Sequence, residues 1–404
     1  MVLFEKALEI VLGQDFKEKT ERVPFQEALH RVLAEDIFSD MDMPPFDKSA
    51  VDGYACRMAD IALETKLIAS LPNIASPQLT MIETIPAGYV PHKPVGPGQC
   101  SKIMTGAMLP EGADCVVMVE DTKSYGEDRV IITCEKTAKN ICFKGEDIRK
   151  GDNVLAKGTL IRPTQIAILA SVGAVNPLVA ALPRVTVIST GDELVEPGGI
   201  PGKSKIRNSN AYQLLAQIRE VPANGIYYGI ASDTPESLSE PIASAFNNSD
   251  VVILTGGVSM GEFDYVPTVM KDLGVEILFK SIAIQPGRPT VFGKKGDKFI
   301  FGLPGNPVSS YVLFEVMVKP FLRKMMGNND MPVMFRLPMG INYSRKKSGR
   351  KSLLPVGIRD GKVFPVEYHG STHIHSYTTA QGVISVEIGN TEIREGEYVD
   401  VRPL

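Results

Sequence analysis

The chain has 404 residues, more than one ordinary hydrophobic core supports, so its length predicts about two to four domains. A composition of 44% hydrophobic and 22% charged residues is ordinary for a globular protein and argues against a long disordered tail. A net charge of −4 excludes a global basic field that would gather nucleic acid or an anionic membrane surface.

The sequence pattern of the first half of the chain changes twice, from helical to β-rich and back. Residues 1–45 look helical, and a second helix is predicted from Pro24 to about Ala34, because proline suits the first helical turn. Residues 46–142 mix short β-branched runs with Pro and Gly turns, which predicts a β-rich module. Helical texture returns over 143–182. Since 1–45 alone make a poor core, we expect these two helical segments to form one discontinuous linker domain that carries the β-rich domain as an insertion.

Residues 183–327 alternate strands and helices, which predicts an open, mostly parallel α/β sheet. The predicted strands are VTVIST, IYYGIA, VVILTG, VEILF and FIFGLPG, and the predicted helices cover 210–220, 236–247, 266–273 and 308–326. Residues 328–404 return to short strands with turn signals such as RDGK and GNTE, which is consistent with a small β-barrel or sandwich. The fold class expected is therefore multidomain α/β.

The segment VVILTGGVSMGEFD runs from an apolar strand into a glycine-rich turn closed by two carboxylates. Gly256, Gly257 and Gly261 allow positive φ and a close approach, so that successive N–H groups can converge on a phosphate oxygen. Glu262 and Asp264 then offer hard oxygens to a magnesium ion bridging the same phosphates. Taken alone, the loop fits a tight strand-to-helix connection equally well, because it is neither a Walker A sequence nor a dinucleotide fingerprint.

Ligands of open α/β sheets bind beyond the carboxyl ends of the strands. Four predicted strands end there in polar segments: GDE with Asp192 and Glu193, SD with Asp233, the glycine turn with Asp264, and PGNP at 304–307. Carboxylates gathered in one place repel one another unless a cation offsets them, so Mg²⁺ is the natural partner. Singly, each aspartate fits a helix cap, and Asn306 fits a cap as well as a ligand contact.

Two earlier loops add Asp52, in FDKSAVDGYA, and Thr105, in KIMTGAMLP. From physical chemistry alone both are turn residues, and no catalytic role follows from them.

Seven long motifs in order resemble the molybdopterin molybdenumtransferase family, which includes MoeA and the gephyrin E domain: PPFDKSAVDGYACR, KIMTGAMLPEGADCVVMVED, STGDEL, GKSKIRNSN, LTGGVSMGEFDYV, QPGRPTVFG and FGLPGNPVSSYVLFEVMVKP. The resemblance spans nearly the whole chain. It implies an elongated homodimer of four-domain subunits with the active cleft between protomers. It also implies insertion of molybdenum from molybdate into adenylylated molybdopterin, with loss of AMP.

The resemblance assigns roles by motif position. The implied active-site group is Asp52, Thr105, Glu193, Asp233 and Asp264, with Glu193 and Asp264 holding Mg²⁺ and with Asp52 and Thr105 orienting the nucleophile. The implied substrate-binding residues are Gly256, Gly257, Ser259, Gly261, Lys280, Arg288, Pro304 and Asn306.

The chain departs from the family pattern before PGRP. The family commonly carries basic residues at two positions four apart, where this chain has Ser281 and Gln285. Lys280 could move into the missing place, because its charge sits on a flexible stem, or could be solvated on a strand edge. In the last region, Arg350 and Ser371 are candidate ligands for the molybdate oxyanion, and a solvated basic turn is the alternative.

Two other functions remain open at this point. Adenylyl transfer onto molybdopterin would consume ATP, and a scaffold of the gephyrin E-domain kind would need no magnesium ligands. We further expect a possible docking contact with the adenylylating enzyme. The five cysteines form no C-x-x-C pair, and neither a signal peptide nor a membrane-spanning apolar run is visible, so the cytoplasm is the expected location.

Overall fold

The computed structural model describes residues 1–61, 78–134, 136–258, 265–330, 332–368, 370 and 372–404. By contacts the chain divides into two units: Met1–Glu35 with Lys157–Pro163 and Asn176–Leu404, and Asp36–Ala156 with Thr164–Val175. The four-domain division inferred from sequence stays a prediction. None of the helices in the described ranges is long and apolar enough to cross a lipid bilayer.

The unit that contains Asp36–Ala156 is built around a mixed sheet. Within the described ranges its strands are, in spatial order, Cys115–Met118, Gly53–Cys56, Gln99–Ile103, Gln78–Ile85, Arg129–Ile132 and Thr122–Tyr125. Two short antiparallel pairs and a helix complete it: Lys48–Ser49 with Ile141–Cys142, Ile37–Phe38 with Asn153–Leu155, and Pro163–Ser171. Buried side chains cover both faces of the sheet, since Tyr54 and Cys56 pack into one cluster and Ala55 into another. The β-rich character expected of this segment is confirmed.

The larger unit contains the central α/β sheet. Its strands among the described residues are, in spatial order, Asn224–Ala231, Arg184–Thr190, Val251–Thr255, Lys298–Leu303, Val291–Lys295 and Glu276–Phe279. The first four pair in parallel. Val291–Lys295 runs antiparallel to both of its neighbours, so Glu276–Phe279 has the same direction as the first four, which confirms the mostly parallel sheet. The reversed direction of Val291–Lys295 arises because Gly296 and Asp297 form a two-residue loop to Lys298–Leu303, with Gly296 at φ +63°.

Helices cover both faces of this sheet, as the unbroken aliphatic strands require. Asn210–Glu220 packs on one face, together with a long helix that runs through Pro307–Leu313, a π-helical turn at Phe314–Val318 and Lys319–Met325. Pro235–Asn248 and Val266–Asp272 pack on the other face. These helices begin and end within about two residues of their predicted limits.

The N-terminal segment corrects one expectation. Phe4–Leu12 is helical, but the helix expected from Pro24 to Ala34 is wrong, because only a 3-10 turn at Phe25–Glu27 forms. Val32 and Leu33 instead make antiparallel bridges to Leu160 and Val179. Tertiary pairing of these apolar residues outweighs the local helical pattern. A neighbouring antiparallel pair joins Thr20–Arg22 to Leu178–Ala180.

The C-terminal region forms a second sheet. Its described strands are Ile284–Gln285, Lys351–Arg359, Gly382–Val386, Tyr398–Pro403 and Phe335–Pro338 in order, with Lys362–Pro365 pairing beside Lys351–Arg359. A two-residue turn at Asp360 and Gly361, both at positive φ, confirms the turn expected at RDGK. Shorter elements are the 3-10 turn Ile374–Thr378 and the pairs Tyr343–Ser344 with Glu392–Ile393 and Leu194–Val195 with Ile206–Arg207.

Candidate active site

One edge of the central sheet collects most of the candidate residues. The four parallel strands end at Thr190, Ala231, Thr255 and Leu303, so their carboxyl ends lie along the same edge. Glu193, Asp233, Gly256 and Asn306 each follow one of these ends within three residues. The convergence expected from the sequence is therefore present in the strand order.

The last two strands of the sheet, Val291–Lys295 and Glu276–Phe279, bring positive charge to this edge. Val291 pairs with Gly302, so Val291–Lys295 starts at this edge. Phe279 pairs with Phe292, so Glu276–Phe279 ends at this edge. Arg288 lies just before the start of Val291–Lys295, Lys280 lies just after the end of Glu276–Phe279, and both side chains are exposed.

The strand order separates the two kinds of charge along the edge. Asp233 and Glu193 follow the first two strands, and Arg288 and Lys280 flank the last two, with the glycine turn and the PGNP segment between them. Five strand spacings separate the two ends of the sheet, a span of about 24 Å.

The glycine turn is packed tightly against the end of Arg184–Thr190. Gly256 and Gly257 have φ of +97° and +60°, which favours glycine at both positions. A Cβ on Gly256 would lie 2.4 Å from the Thr190 carbonyl oxygen, and a Cβ on Gly257 would lie 3.0 Å from Thr190 Oγ1. The N–H of Gly256 donates to the carbonyl of Leu303 (3.1 Å), so this particular donor serves the fold rather than a ligand.

Asp233 lies beside the turn with one oxygen unpaired. Its Oδ1 is 3.7 Å from the position of a Cβ on Gly257. Both this oxygen and Thr190 Oγ1 are buried, and neither makes a hydrogen bond of good geometry with a described residue. Burial raises the pKa of Asp233, and the negative charges of Glu193 and Asp192 raise it further, while the Thr190 hydroxyl partly opposes the change.

Glu193 is held close to the same strand end. Its carboxylate lies over Gly191, where an added Cβ would come within 2.7 Å of Oε2. The carbonyl of Glu193 accepts a hydrogen bond from the N–H of Ile206 (2.8 Å). The loop backbone is thus fixed while the carboxylate carries no ion pair to a described Lys, Arg or His.

These oxygens fit a hard divalent cation, although they do not form a complete site. No three His, Cys, Asp or Glu side chains of the described residues gather closely enough to hold a metal ion. Mg²⁺ is commonly bound by only one or two carboxylates together with waters and substrate phosphates. Asp233 with its unpaired oxygen and Glu193 meet that requirement. The remaining candidates of the glycine-rich loop, Ser259, Gly261, Glu262 and Asp264, lie outside the described residues.

The PGNP segment packs against the glycine turn. A Cβ added to Gly305 would lie 3.6 Å from Gly256 Cα. The carbonyl of Gly305 accepts a hydrogen bond from Asn210 Nδ2 (2.7 Å). Asn306 occupies the N-cap of the long helix, but its side chain makes no capping hydrogen bond. Pro304 is buried and Asn306 is exposed, so of the two only the asparagine presents its side chain to solvent.

Asp52 and Thr105 meet in the other unit. The N–H and the hydroxyl of Thr105 both donate to Asp52 Oδ1, at 2.7 and 2.9 Å. These two hydrogen bonds hold the pKa of Asp52 below its usual range. Asp52 is therefore an ionised acceptor at neutral pH, suited to orienting a hydroxyl and poorly suited to accepting a proton.

The basic segment near Arg350 is partly committed to structure. The guanidinium of Arg345 donates to the carbonyls of Arg350 (2.9 Å), Asn390 (2.7 Å) and Glu387 (2.5 Å). Lys351 forms ion pairs with Glu5 and Glu387. Arg350 itself is half-buried directly before the strand Lys351–Arg359, while Ser371 lies outside the described residues.

One residue of the site escaped sequence reasoning. Thr190 closes the strand before Gly191 and touches both glycines of the turn, yet it reads as an ordinary β-branched strand residue. The available signal was a hydroxyl at a strand end immediately before a glycine, in an architecture where strand ends carry the site.

Three family models match the chain in order. They are described as the MoeA N-terminal region (domain I and II) over residues 2–173, a probable molybdopterin binding domain over 186–324, and the MoeA C-terminal region (domain IV) over 342–404.

Individual relatives cover most of the chain. A molybdopterin molybdenumtransferase of Bacillus subtilis is 40% identical over 314 residues, which are 77% of this chain and 71% of that protein. One of Staphylococcus epidermidis is 34% identical over 404 residues, 98% of this chain and 94% of that protein. The crystal structure of a molybdopterin biosynthesis MoeA protein from Pyrococcus horikoshii matches over all of both chains, with a TM-score of 0.83 and 31% identity. The resemblance inferred from the motifs is confirmed, and the chain belongs to the molybdopterin molybdenumtransferase (MoeA) family.

Proposed function

We propose that this protein is a molybdopterin molybdenumtransferase that inserts molybdenum from molybdate into adenylylated molybdopterin and releases AMP. The relatives at 34 and 40% identity carry that enzyme name. The observation that carries the proposal is the ordering of charge along the sheet edge, from Asp233 and Glu193 through the glycine turn to Arg288 and Lys280. An adenylylated pterin joins its two halves through a pyrophosphate, which needs both neutralisation and a long platform.

The acidic half of the edge would hold the pyrophosphate through a divalent ion. Mg²⁺ bound there would neutralise phosphate charge and favour departure of AMP. Glu193 and Asp233 supply oxygens from two adjacent strand ends, and Asp264 is proposed as a further ligand. Gly256 and Gly257 let the turn pack directly against Thr190, which keeps the turn close to these two carboxylates.

The basic half would bind the remaining negative charge. Arg288 and Lys280 are exposed at the other end of the edge, and the exposed Asn306 follows the neighbouring strand Lys298–Leu303. Ser281 and Gln285 occupy positions where the family commonly has basic residues, and Lys280 supplies the positive charge that they lack. Asp52 and Thr105 are proposed to orient the nucleophile, and Arg350 with Ser371 to contact the molybdate substrate.

The proposal is tested with purified protein, adenylylated molybdopterin, molybdate and Mg²⁺, followed by AMP release and by the molybdenum content of the product. We expect Asp233→Asn to lower the rate about 10- to 100-fold, the usual effect of disturbing metal-supporting groups. Glu276→Gln is the matched control, because Glu276 is an exposed carboxylate at the opposite edge of the same sheet. A wild-type protein that consumed ATP and released no AMP from the adenylate would contradict the proposal and favour adenylyl transfer.

The assembly is also part of the proposal. We propose a homodimer in the cytoplasm, with four domains per subunit and a possible docking contact for the adenylylating enzyme. Sedimentation at micromolar concentration gives the subunit number. A monomer that retains full activity would contradict the dimer.

A further inference from the structure

A buried asparagine lies at the centre of a polar network behind the acidic strand ends. Asn208 is 1% exposed. Its Oδ1 accepts hydrogen bonds from Ser189 Oγ (3.1 Å) and from the N–H of Ala211 (3.3 Å), and its Nδ2 donates to the Tyr227 hydroxyl (2.9 Å). A buried amide with its hydrogen bonds satisfied specifies one local geometry, because each broken bond would leave a polar group unpaired.

The network ties together three of the four parallel strands. Ser189 and Tyr227 belong to adjacent strands. Thr255 belongs to a third strand, and its Oγ1 lies 3.5 Å from Ser189 Oγ. These strands lead directly to Glu193, Asp233 and Gly256. One side chain therefore contacts, directly or through one hydroxyl, the strands that present the proposed metal and phosphate site.

Asn208 also closes the loop that carries Glu193. Leu194–Val195 pairs with Ile206–Arg207, and the N–H of Asn208 donates to the carbonyl of Val195 (2.8 Å). The N–H of Ile206 donates to the carbonyl of Glu193 (2.8 Å). The main chain of Asn208 thus ends the two-stranded clamp that begins at Glu193, while its side chain anchors that clamp to the sheet.

The direction of the hydrogen bonds requires an amide at this position. Tyr227 donates its phenolic proton to Glu196 (2.5 Å), so its oxygen can only accept from residue 208. Tyr212 donates to the other oxygen of Glu196 (2.7 Å) at the exposed end of the network. A carboxylate at position 208 would face the Tyr227 oxygen with a second acceptor, although its size and shape would be unchanged.

We infer that Asn208 is a positioning residue that fixes the Glu193 loop against the strand ends and thereby sets the affinity of the acidic edge for a divalent cation. This inference rests on the proposed function. Partners that orient metal ligands typically change metal affinity or activity about 10- to 100-fold when they are altered.

The experiment uses the full chain and two readouts. Mn²⁺ is titrated by electron paramagnetic resonance in the presence of AMP, and the Mg²⁺ concentration for half-maximal AMP release is measured separately. Asn208→Asp and Tyr227→Phe are each expected to raise the Mn²⁺ Kd and the half-maximal Mg²⁺ concentration about 10- to 100-fold. Tyr212→Phe, which removes the other phenol from Glu196 without touching Asn208, is expected to leave both within about twofold of wild type.

The outcomes separate the inference from the proposed function. A folded Asn208→Asp protein with a wild-type Mn²⁺ Kd overturns the role of Asn208, even if the wild type releases AMP normally. If Asn208→Asp does not fold, Tyr227→Phe decides by the same criterion. A wild-type protein that binds Mn²⁺ but releases no AMP contradicts the proposed function alone.

Discussion

Two loops of this protein use the same three residue types in opposite environments. At the sheet edge, Asp233 and Thr190 lie beside Gly257, and each has a buried oxygen that makes no hydrogen bond of good geometry with a described residue. In the other unit, Thr105 satisfies Asp52 with two hydrogen bonds beside Gly106, and the loop is exposed.

The difference separates a site that is incomplete without a ligand from one that is complete. The pKa of Asp233 is raised, first by burial, whereas the pKa of Asp52 is lowered, first by the Thr105 N–H. A bound cation would offset the free-energy cost of ionising the buried Asp233 carboxylate. It would add little stabilisation at Asp52, whose charge is already stabilised by hydrogen bonds. The comparison therefore supports the proposals that the sheet edge binds the cation and that the exposed loop orients the nucleophile.

The largest expected effect comes from the two glycines. Gly256→Ala would place a Cβ 2.4 Å from the Thr190 carbonyl at φ +97°, so we expect a loss of about 3 kcal/mol in unfolding free energy and loss of AMP release. Gly106→Ala meets nothing within 4 Å at φ +80° and should cost only about 1 kcal/mol. Urea unfolding of both variants measures the difference. Equal losses would show that the sheet-edge turn is not crowded.

The two aspartates should separate activity from stability. Asp233→Asn is expected to lower AMP release about 10- to 100-fold while leaving stability unchanged or raised, because it removes an unpaired charge that Glu193 and Asp192 repel. Asp52→Asn is expected to lower stability, because it weakens both hydrogen bonds from Thr105. Thermal unfolding and AMP release, measured on both variants, check this. The reverse pattern would exchange the roles assigned to the two loops.

The pH dependence of these two variants should have opposite signs. The pKa of Asp233 in the folded protein lies above 3.8. Its contribution to the unfolding free energy is therefore present below the unfolded pKa and is lost as pH rises through the folded pKa. A folded pKa below 3.8 at Asp52 gives a contribution that is present above the unfolded pKa and is lost as pH falls through the folded value.

Unfolding free energies between pH 3 and about pH 7 test this. Relative to Asp233→Asn, the wild type should become less stable as pH rises from near 3.8. Relative to Asp52→Asn, it should become less stable as pH falls below 3.8. Parallel profiles for the two comparisons would remove the contrast between the loops.

The smallest effect is expected from the threonine hydroxyls. Thr190→Val removes a buried hydroxyl that has no partner of good geometry in the described ranges, so stability should change by no more than about 1 kcal/mol, in either direction. Thr105→Val removes a hydroxyl that donates to Asp52 and should be destabilising. Thr105→Ser, which keeps the hydroxyl, is the matched control. A clearly larger loss in Thr190→Val would indicate that its hydroxyl is already paired.

The sequence was sufficient for elements whose local pattern and tertiary role agree. The helix Asn210–Glu220 forms within its predicted limits, and Val251–Thr255 is buried on both faces as its aliphatic run indicated. The predicted helix at Pro24–Ala34 is wrong because Val32 and Leu33 bridge to Leu160 and Val179, residues that are distant in the sequence.

The site was predictable only as far as strand ends could be placed. The order of the strands, and with it the arrival of Arg288 and Lys280 at the acidic edge, depends on the Gly296–Asp297 hairpin that reverses the sheet. The local signal for that hairpin is only the Gly-Asp pair between Lys295 and Lys298, with the apolar residues further away. Thr190 and Asn208 could not be singled out, because their importance comes from contacts with Gly256, Ser189 and Tyr227 rather than from residue type.

The most direct test of the account is the Mg²⁺ dependence of AMP release from adenylylated molybdopterin by the wild type and by Asp233→Asn. We expect the wild type to require Mg²⁺ and the variant to need about 10- to 100-fold more of it at a thermal midpoint that is unchanged or raised. An Asp233→Asn protein with the same Mg²⁺ requirement and rate as wild type would contradict the claim that the acidic end of the sheet edge binds the cation.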